Sequence, residues 1–491
     1  MTASTPPPQH QPAAAAVRLG APATEHEPVD AGAFAAGRPA PWPHDPWPDI
    51  VERVAAAPEA LVVLDDDPTG TQTVHGVAVL TTWDVDRLAD ELARSRCFFV
   101  LTNSRALPVD AAVALAEQVG ANLRLAAERT GTEVAVVSRS DSTLRGHFPA
   151  EVDAVAAALG RPLDAVVLAP WFLDGGRVTL DGIHYARTGD RYVPVGRTEF
   201  AADASFGYTR SWLPAWVEEK TAGRVPAAAV THLPLAMVRE GGPDAVTAAL
   251  LERPPGAGGY VSADALDERD VAVVVAGLLG AEAAGRRYLY RTGASFVRVR
   301  AAIGARPFLD RAELGAATGS GRLLVVGSHV GRSSEQLERV LALPHVRSVE
   351  LAVDAALRDP QAEGRRVAAA LDAILAAGGD AVLWTSRSVR TGADAAASLA
   401  ISATVSAAVV AAVRSLTVAP RLLVAKGGIT SSDVATEALG VRRALVVGQA
   451  QAGVPVWELG PESRFPAMRY VVFPGNVGTA DSLAELLAVE G

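Results

Sequence analysis

The chain has 491 residues, of which 49% are hydrophobic and 20% are charged, and its formal net charge is −10 at pH 7. This length predicts two or three domains, and this composition excludes a globally disordered chain. The acidic balance argues against a general nucleic-acid-binding protein. The single cysteine, Cys97, excludes an intrachain disulfide and a zinc site built from cysteines.

The first residues form an Ala/Pro-rich tail. Residues 1–45 include the runs 6–8 (Pro) and 13–16 (Ala) and show no hydrophobic period, which predicts disorder. No secretory signal is visible. The uncharged, Ala-rich stretch between Asp394 and Arg414 favours a buried helix over a membrane span. We therefore expect a cytoplasmic protein with no membrane partner.

From about residue 50 the pattern alternates between strands and helices. Short apolar runs stop at polar loops, and amphipathic stretches such as 110–129 separate them. Continuous apolar strands separated by helices predict a mainly parallel sheet covered on both faces. In the first half, the predicted strands are 61–64, 98–101, 134–137 and 166–168.

Residues 190–320 are less regular, and the alternation restarts after residue 320. The predicted strands there are 323–326, 382–384, 422–424 and 471–473. The sequence therefore predicts an α/β fold with an N-terminal domain over 46–315 and a C-terminal domain over 316–491. Each domain is expected to carry a mainly parallel sheet flanked by helices, with the active site in the cleft between them.

Three loops of the second half are rich in glycine and open helices. They lie at 327–331, 426–433 and 474–478, each directly after a predicted strand. Glycine lets backbone N–H groups approach a phosphate, and a helix N-terminus favours negative charge. Neither the Walker A pattern nor Gly-x-Gly-x-x-Gly is present, so these loops indicate a phosphate or nucleotide without defining it further.

The strand ends of the first half are acidic and cationic instead. Asp65, Asp66 and Asp67 follow one strand, Arg105 follows the next, and the segment 139–147 follows the third. Adjacent carboxylates repel one another, so such a run indicates a divalent cation or a base with a raised pKa. Arginine at neighbouring strand ends suits a carboxylate or a phosphate. No metal ligands can be assigned, and His75, His147 and His184 show no partner by spacing.

At these loops the chain resembles the four-carbon acid sugar kinase family, of the threonate, erythronate and 3-oxo-tetronate kinase type, which was once a domain of unknown function. The resemblance runs from about residue 60 to the end. Thr73 departs from it, since many members have an acidic residue there, and Asp65 is an extra carboxylate. The segments that carry it are 66–70, 139–146, 176–185, 327–328, 427–431 and 474–478.

The resemblance implies that the N-terminal domain binds a sugar acid and that the C-terminal domain binds ATP. We expect ATP and Mg²⁺ as cofactors, a carboxylate of residues 65–67 as the base, and a homodimer is left open. The implied catalytic residues are Asp66 and Asp67, the substrate-binding residues are Arg105, Arg139, Asp141, Ser142, Arg145 and Arg177, and the nucleotide-binding residues are Ser328, Lys426, Gly427, Gly428, Ile429, Thr430, Ser431, Gly475, Asn476 and Gly478.

Two other functions fit parts of the sequence. Asp65-x-Asp67-x-Thr69 after an apolar strand is also typical of haloacid-dehalogenase-like phosphatases, in which the first aspartate attacks phosphorus. That interpretation leaves the second domain unexplained. A sugar-acid-binding protein without turnover is the other alternative.

Overall fold

The computed structural model describes residues 27–315, 318–327, 331–387, 390, 395–475 and 477–488. The strands are β1 Val29–Asp30, β2 Glu59–Asp65, β3 Val77–Leu80, β4 Cys97–Leu101, β5 Glu133–Arg139, β6 Ala165–Ala169, β7 Arg177–Leu180, β8 Ile183–Thr188, β9 Arg191–Pro194, β10 Thr231–Leu233, β11 Tyr260–Ala263, β12 Tyr288–Thr292, β13 Arg322–Val326, β14 Val346–Leu351, β15 Asp380–Thr385, β16 Leu422–Lys426, β17 Arg443–Gln451, β18 Val454–Leu459 and β19 Arg469–Phe473.

Helices flank these strands. They are α1 Ala31–Ala35, α2 Trp47–Ala56, α3 Val85–Leu92, α4 Val109–Thr130, α5 Ala150–Leu159, α6 Leu213–Lys220, α7 Gly242–Leu251, α8 Glu268–Ala283, α9 Ala294–Arg300, α10 Arg311–Leu314, α11 Gly331–Leu341, α12 Val353–Arg358, α13 Pro360–Ala376, α14 Ala395–Ser415, α15 Gly428–Asp433 and α16 Ser482–Glu485. Across the described residues, no helix combines the length and the apolarity that a bilayer crossing requires.

The described chain divides into two compact units that do not follow chain order. The first unit contains the segments up to residue 57, 141–149 and 161–302, and the second contains 58–140, 150–160 and 303 onwards. Strands β2 to β5 therefore belong to the same compact unit as the C-terminal strands. The domain boundary at residue 315 stays a prediction, because the two compact units are each made of several separate segments of the chain.

The sheet of the second unit consists of two parallel blocks. β5, β2, β4 and β3 form one block, and β19, β16, β13, β15 and β14 form the other. The antiparallel hairpin of β17 and β18 joins them, so the two blocks run in opposite directions. All four predicted strands of the C-terminal half lie in the second block. The α/β class with a mainly parallel sheet is therefore confirmed.

Burial explains why these runs form strands. The side chains of Leu61 to Leu64 in β2 are all buried, as expected for a parallel strand covered on both faces. Helix α4 buries Ala112, Ala116, Val119 and Leu123 at spacings of three and four residues, and it ends at Gly131, whose φ of +66° is left-handed.

The first unit has a parallel sheet and a smaller antiparallel one. Strands β10, β11, β6 and β12 are parallel neighbours, whereas β1, β9, β8 and β7 form an antiparallel meander. Four of these eight strands, β9 to β12, lie in the stretch that the sequence pattern leaves irregular. The eight strands are two to six residues long, and β7, β8 and β9 do not alternate between buried and exposed positions.

Residues 27–45 are ordered, although their composition predicts disorder. β1 pairs with β9, and Phe34 of α1 is 4% exposed. The Phe34 ring stacks on Tyr192 at a centroid distance of 4.1 Å and meets Tyr185 edge-on at 4.9 Å. One aromatic anchor therefore orders a segment that is otherwise poor in large apolar side chains.

Candidate active site

Asp65, the first carboxylate of the acidic run, is enclosed by the protein. The residue is 1% exposed at the end of β2, and its Oδ1 has no hydrogen-bond partner among the described residues. A Cβ on Gly70 would lie 1.9 Å from that atom, so only glycine fits above it. Burial raises the pKa of Asp65 well above its ordinary value; Arg139 opposes this, and Asp66 and Asp67 add to it. Asp65 is therefore an inaccessible carboxyl group whose uncharged form is favoured by burial.

Asp66 is held in a buried ion pair. Arg105 donates to both of its oxygens, from Nε at 3.2 Å to Oδ2 and from Nη2 to Oδ1, and the Ser140 hydroxyl also donates to Oδ2. Asp66 is 4% exposed. Both carboxylate oxygens are thus occupied, which makes Asp66 a group that orients Arg105.

Asp67 has one oxygen anchored and one directed at the Gly-rich loop. Its Oδ1 accepts from the backbone N–H of Thr69 at 2.9 Å and from the Thr69 hydroxyl. Its Oδ2 lies 3.6 Å from Arg105 Nη1 and 3.2 Å from the position that a Cβ would take on Gly428. Asp67 is the one carboxylate of the run whose second oxygen points towards a cavity-lining backbone.

The acidic loop is also fixed to the hairpin that joins the two blocks. Trp457 Nε1 of β18 donates to the Thr71 hydroxyl at 3.1 Å, and Gln72 Nε2 donates to Gly453 O at 3.2 Å. Arg139, which is 5% exposed, donates from Nη2 to Gln72 Oε1 at 3.4 Å. The structure therefore places Arg139 beneath the acidic loop, and Gln72 is a loop-anchoring residue that sequence reasoning missed.

The loop after β16 approaches Asp67 because its glycines permit it. Gly427 has φ +111°, a conformation that L-residues rarely adopt, and its N–H donates to Phe473 O at 2.8 Å. Ser431, one of the predicted nucleotide ligands, is buried and donates its hydroxyl to Ala425 O at 2.8 Å. Thr430 is half-buried, and Ile429 is 62% exposed.

Lys426 lies inside the second unit. It is fully buried, its Nζ donates to Pro474 O at 2.6 Å, and the ammonium group sits 4.2 Å from the centre of the Phe473 ring. Burial and, to a lesser extent, the charge of Arg332 lower the pKa of Lys426 to about 7. The lysine therefore fastens the turn that carries Gly475 and is close to half-protonated at neutral pH.

A pocket of about 480 Å³ opens beside this loop, within the size range of cofactor sites. Asp433, at the end of α15, accepts from the Ser406 hydroxyl at 2.5 Å, and burial raises its pKa while that hydrogen bond opposes the shift. The pocket is lined by the glycines Gly327, Gly427, Gly428 and Gly475, by the apolar residues Val353, Ile401, Val405, Val409, Ile429 and Val434, and by the polar residues Thr385, Arg390, Ser402, Ser406, Thr430 and Asp433.

The other predicted substrate ligands gather in the first unit. Asp141 accepts from Arg145 Nε at 2.9 Å, and Arg145 Nη1 lies 3.7 Å from Asp203. The guanidinium groups of Arg145 and Arg177 both lie over the ring of Phe200, at 5.1 and 5.8 Å. Burial lowers the pKa of Arg177, and Asp141 opposes that shift. This cluster combines two guanidinium groups with an aromatic ring.

Some predicted residues have other placements. Ser142 lies half-buried in the loop between Asp141 and Arg145, and Gly478 has φ +87° in a turn capped by the Ser482 hydroxyl. Ser328 and Asn476 lie outside the described residues.

Sequence reasoning missed Phe200, Asp203, Ser406 and Asp433. Asp433 carried a signal, since it closes the Gly-rich segment 426–433. The other three lie in segments without a motif, where only tertiary contacts reveal them.

Comparison with known proteins defines the class of the chain. A family model described as a sugar-binding N-terminal domain matches residues 61–300, and one described as a nucleotide-binding C-terminal domain matches residues 323–483. These two domains together cover well over half of the chain. The chain belongs to the four-carbon acid sugar kinase family, whose members carry both domains.

Individual proteins match this chain at low sequence identity. The chain is 33% identical to D-threonate kinase of Bordetella bronchiseptica over 161 residues, which are 31% of this chain and 37% of that kinase. Two solved structures share the fold. A Salmonella typhimurium LT2 protein, provisionally described as a tRNA synthase, matches at TM-score 0.63 and 17% identity over 87% of this chain and 98% of its own. A Haemophilus influenzae protein of a domain family of unknown function matches at TM-score 0.57 and 16% identity over 87% of this chain and 99% of its own.

Proposed function

We propose that this chain is an ATP-dependent kinase that phosphorylates a hydroxyl group of a four-carbon sugar acid, of the threonate, erythronate or oxo-tetronate type. One observation carries the proposal: Oδ2 of Asp67, which accepts no hydrogen bond from the Thr69 turn, lies against Gly428, and Gly428 lines a pocket of nucleotide size. A base is thereby brought next to a backbone that can receive phosphates.

In the proposed reaction, Asp67 orients the sugar-acid hydroxyl and accepts its proton. The hydroxyl oxygen attacks the γ-phosphorus, a new P–O bond forms, and the bond to the β,γ-bridging oxygen breaks as ADP leaves. Asp67 suits this role better than its neighbours. Asp65 is enclosed beneath Gly70, and both oxygens of Asp66 are taken by Arg105 and Ser140.

Magnesium would enter with the nucleotide. Within the described residues no group of three or more His, Cys, Asp or Glu side chains is arranged to bind a metal. Mg²⁺ in phosphotransferases is commonly held by one or two carboxylates together with the phosphates, where it neutralises phosphate charge. Asp433, which lines the pocket, is the carboxylate that would hold the ion there.

The sugar acid is proposed to bind through the N-terminal half, residues 46–315, and the nucleotide through residues 316–491. The support for the acid is chemical. Arginine guanidinium groups match a carboxylate, and the Arg145–Arg177–Phe200 cluster offers two of them beside an apolar surface. The similarity to D-threonate kinase suggests an acid of four carbons. We expect the enzyme to act in the cytoplasm, where ATP is available.

The test is a screen of the full chain with Mg²⁺ and ATP against threonate, erythronate and oxo-tetronate acids. We expect ADP to form with one of the acids, in an amount equal to that of the phosphorylated acid. A reaction without any acid is the blank. Failure to form ADP with any acid would refute the proposal, and binding of an acid without turnover would favour a binding protein.

The phosphatase alternative makes a different prediction. It requires Asp65 as the nucleophile, yet that carboxyl group is buried beneath Gly70 and its pKa is raised. Release of inorganic phosphate from a phosphorylated sugar acid without nucleotide would support the phosphatase.

A further inference from the structure

Three side chains hold the backbone of the loop that carries Arg145. His184 Nε2 lies 2.8 Å from Ser142 O, Tyr208 donates its hydroxyl to Thr143 O at 2.5 Å, and Arg291 Nη2 donates to Arg145 O at 2.9 Å. Between these anchors, Leu144 has φ +68° and is 3% exposed. A leucine in the left-handed region is strained, and it persists only where its surroundings fix it.

The first of these anchors is the end of a longer hydrogen-bonded chain. Trp171 Nε1 lies 3.2 Å from the Thr179 hydroxyl, and that hydroxyl lies 3.0 Å from His184 Nδ1. Trp171, Thr179 and His184 are all fully buried. Thr179 and His184 are cross-strand partners of β7 and β8, so the sheet register sets their approach.

The first donor and the last acceptor fix the direction of these hydrogen bonds. An indole N–H can only donate and a carbonyl oxygen can only accept, so Trp171 donates to Thr179 and His184 donates to Ser142. Burial lowers the pKa of His184 to about 4, with Arg177 lowering it and Asp141 raising it as the charged groups nearby. The neutral ring therefore has its proton on Nε2, and its Nδ1 accepts the hydrogen of the Thr179 hydroxyl.

We propose that Trp171, Thr179 and His184 are positioning residues, a buried relay that fixes the loop 141–146 so that Arg145, oriented by Asp141, is held ready for an anionic substrate. The proposal rests on the proposed function, in which this loop binds the sugar acid. Packing alone would be satisfied by apolar residues at these positions. Burying polar groups is costly unless each of them is satisfied, and the Nε2 proton of His184 has its acceptor in the loop carbonyl of Ser142.

The matched variants are Thr179→Val, which keeps the shape and removes the hydroxyl, and Thr179→Ser, which keeps the hydroxyl. We expect Thr179→Val to raise KM for the sugar acid about tenfold with KM for ATP unchanged, because a buried hydrogen bond to the loop is weakened. Thr179→Ser is expected to restore the wild-type value. Equal KM values for the acid in both variants would overturn the proposal.

Two measurements do not depend on turnover. ¹⁵N NMR of histidine-labelled wild-type protein should show His184 protonated on Nε2 and unprotonated on Nδ1; the opposite tautomer overturns the relay. Amide hydrogen exchange of residues 142–146 should quicken in Thr179→Val and not in Thr179→Ser. A wild-type protein that uses no sugar acid refutes the proposed function, while the tautomer and the exchange still decide whether the relay holds the loop. If Thr179→Val fails to fold, Trp171→Phe takes its place in the exchange measurement.

Discussion

Replacing Asp67 by Asn separates the catalytic carboxylate from the structural ones. An Asn side chain keeps the oxygen that accepts from the Thr69 N–H and hydroxyl, so the loop stays anchored. It replaces the other oxygen, 3.2 Å from the Cβ position of Gly428, by an amide that cannot take a proton. General-base catalysis contributes roughly 10²- to 10⁴-fold, so kcat should fall by that factor, or about 3–5 kcal/mol in the activation barrier. Because the Asp67 side chain is 23% exposed and outside the core, the free energy of unfolding should change by less than about 1 kcal/mol.

The control for this prediction is Asp66→Asn. Asp66 is 4% exposed and paired with Arg105, so breaking that pair should cost about 3–5 kcal/mol of stability. Steady-state kinetics and urea unfolding of both variants therefore give opposite patterns. Asp67→Asn loses turnover with its stability intact, whereas Asp66→Asn loses stability first. Wild-type kcat in Asp67→Asn would refute the assignment of the base.

Three further perturbations test the surroundings of the site. Gly428→Ala puts a methyl group 3.2 Å from Asp67 Oδ2 and should lower kcat roughly tenfold in steady-state assays with little change in Tm, whereas a large loss of Tm would show a structural role. Gly70→Ala puts one 1.9 Å from Asp65 Oδ1 and should cost about 3 kcal/mol in chemical unfolding; unchanged stability would contradict the enclosure of Asp65. The pKa of Lys426 is about 7 when folded and 10.5 ordinarily, so the unfolded chain binds the extra proton and stability should rise by about 2 kcal/mol from pH 7 to pH 9. Lys426→Met should lack this rise, and an equal slope in both proteins would disprove it.

The strands and their loops were readable from the sequence because both rest on local patterns. The continuous apolar runs at 61–64 and 422–424 need burial on both faces, which only a covered parallel sheet supplies. Residues directly after such runs lie at strand ends by construction. The acidic and Gly-rich loops could therefore be singled out before any contact was known.

The contact between the acidic loop and the Gly-rich loop could not be predicted from local patterns. Asp67 and Gly428 are far apart in sequence, and they approach because Thr71 and Gln72, in the loop after Asp67, are hydrogen-bonded to the β17–β18 hairpin of the same compact unit. Pairing between distant strands leaves no local signature. The ordered conformation of residues 27–45 has no local signature either, because it depends on the contact of Phe34 with Tyr192 across β1 and β9.

The three aspartates of the acidic run differ in burial and in hydrogen bonding. Burial under Gly70 raises the pKa of Asp65, and Arg105 contacts both of its neighbours, Asp66 through two hydrogen bonds and Asp67 at 3.6 Å. The raised pKa favours the uncharged form of Asp65, and Arg105 and Arg139 offset negative charge in the run, which lowers the electrostatic barrier to a triphosphate. A third ionised carboxylate would raise that barrier and would also compete with Asp67 for Arg105. Burying Asp65 therefore leaves one carboxylate oxygen, that of Asp67, available to a hydroxyl group beside the pocket.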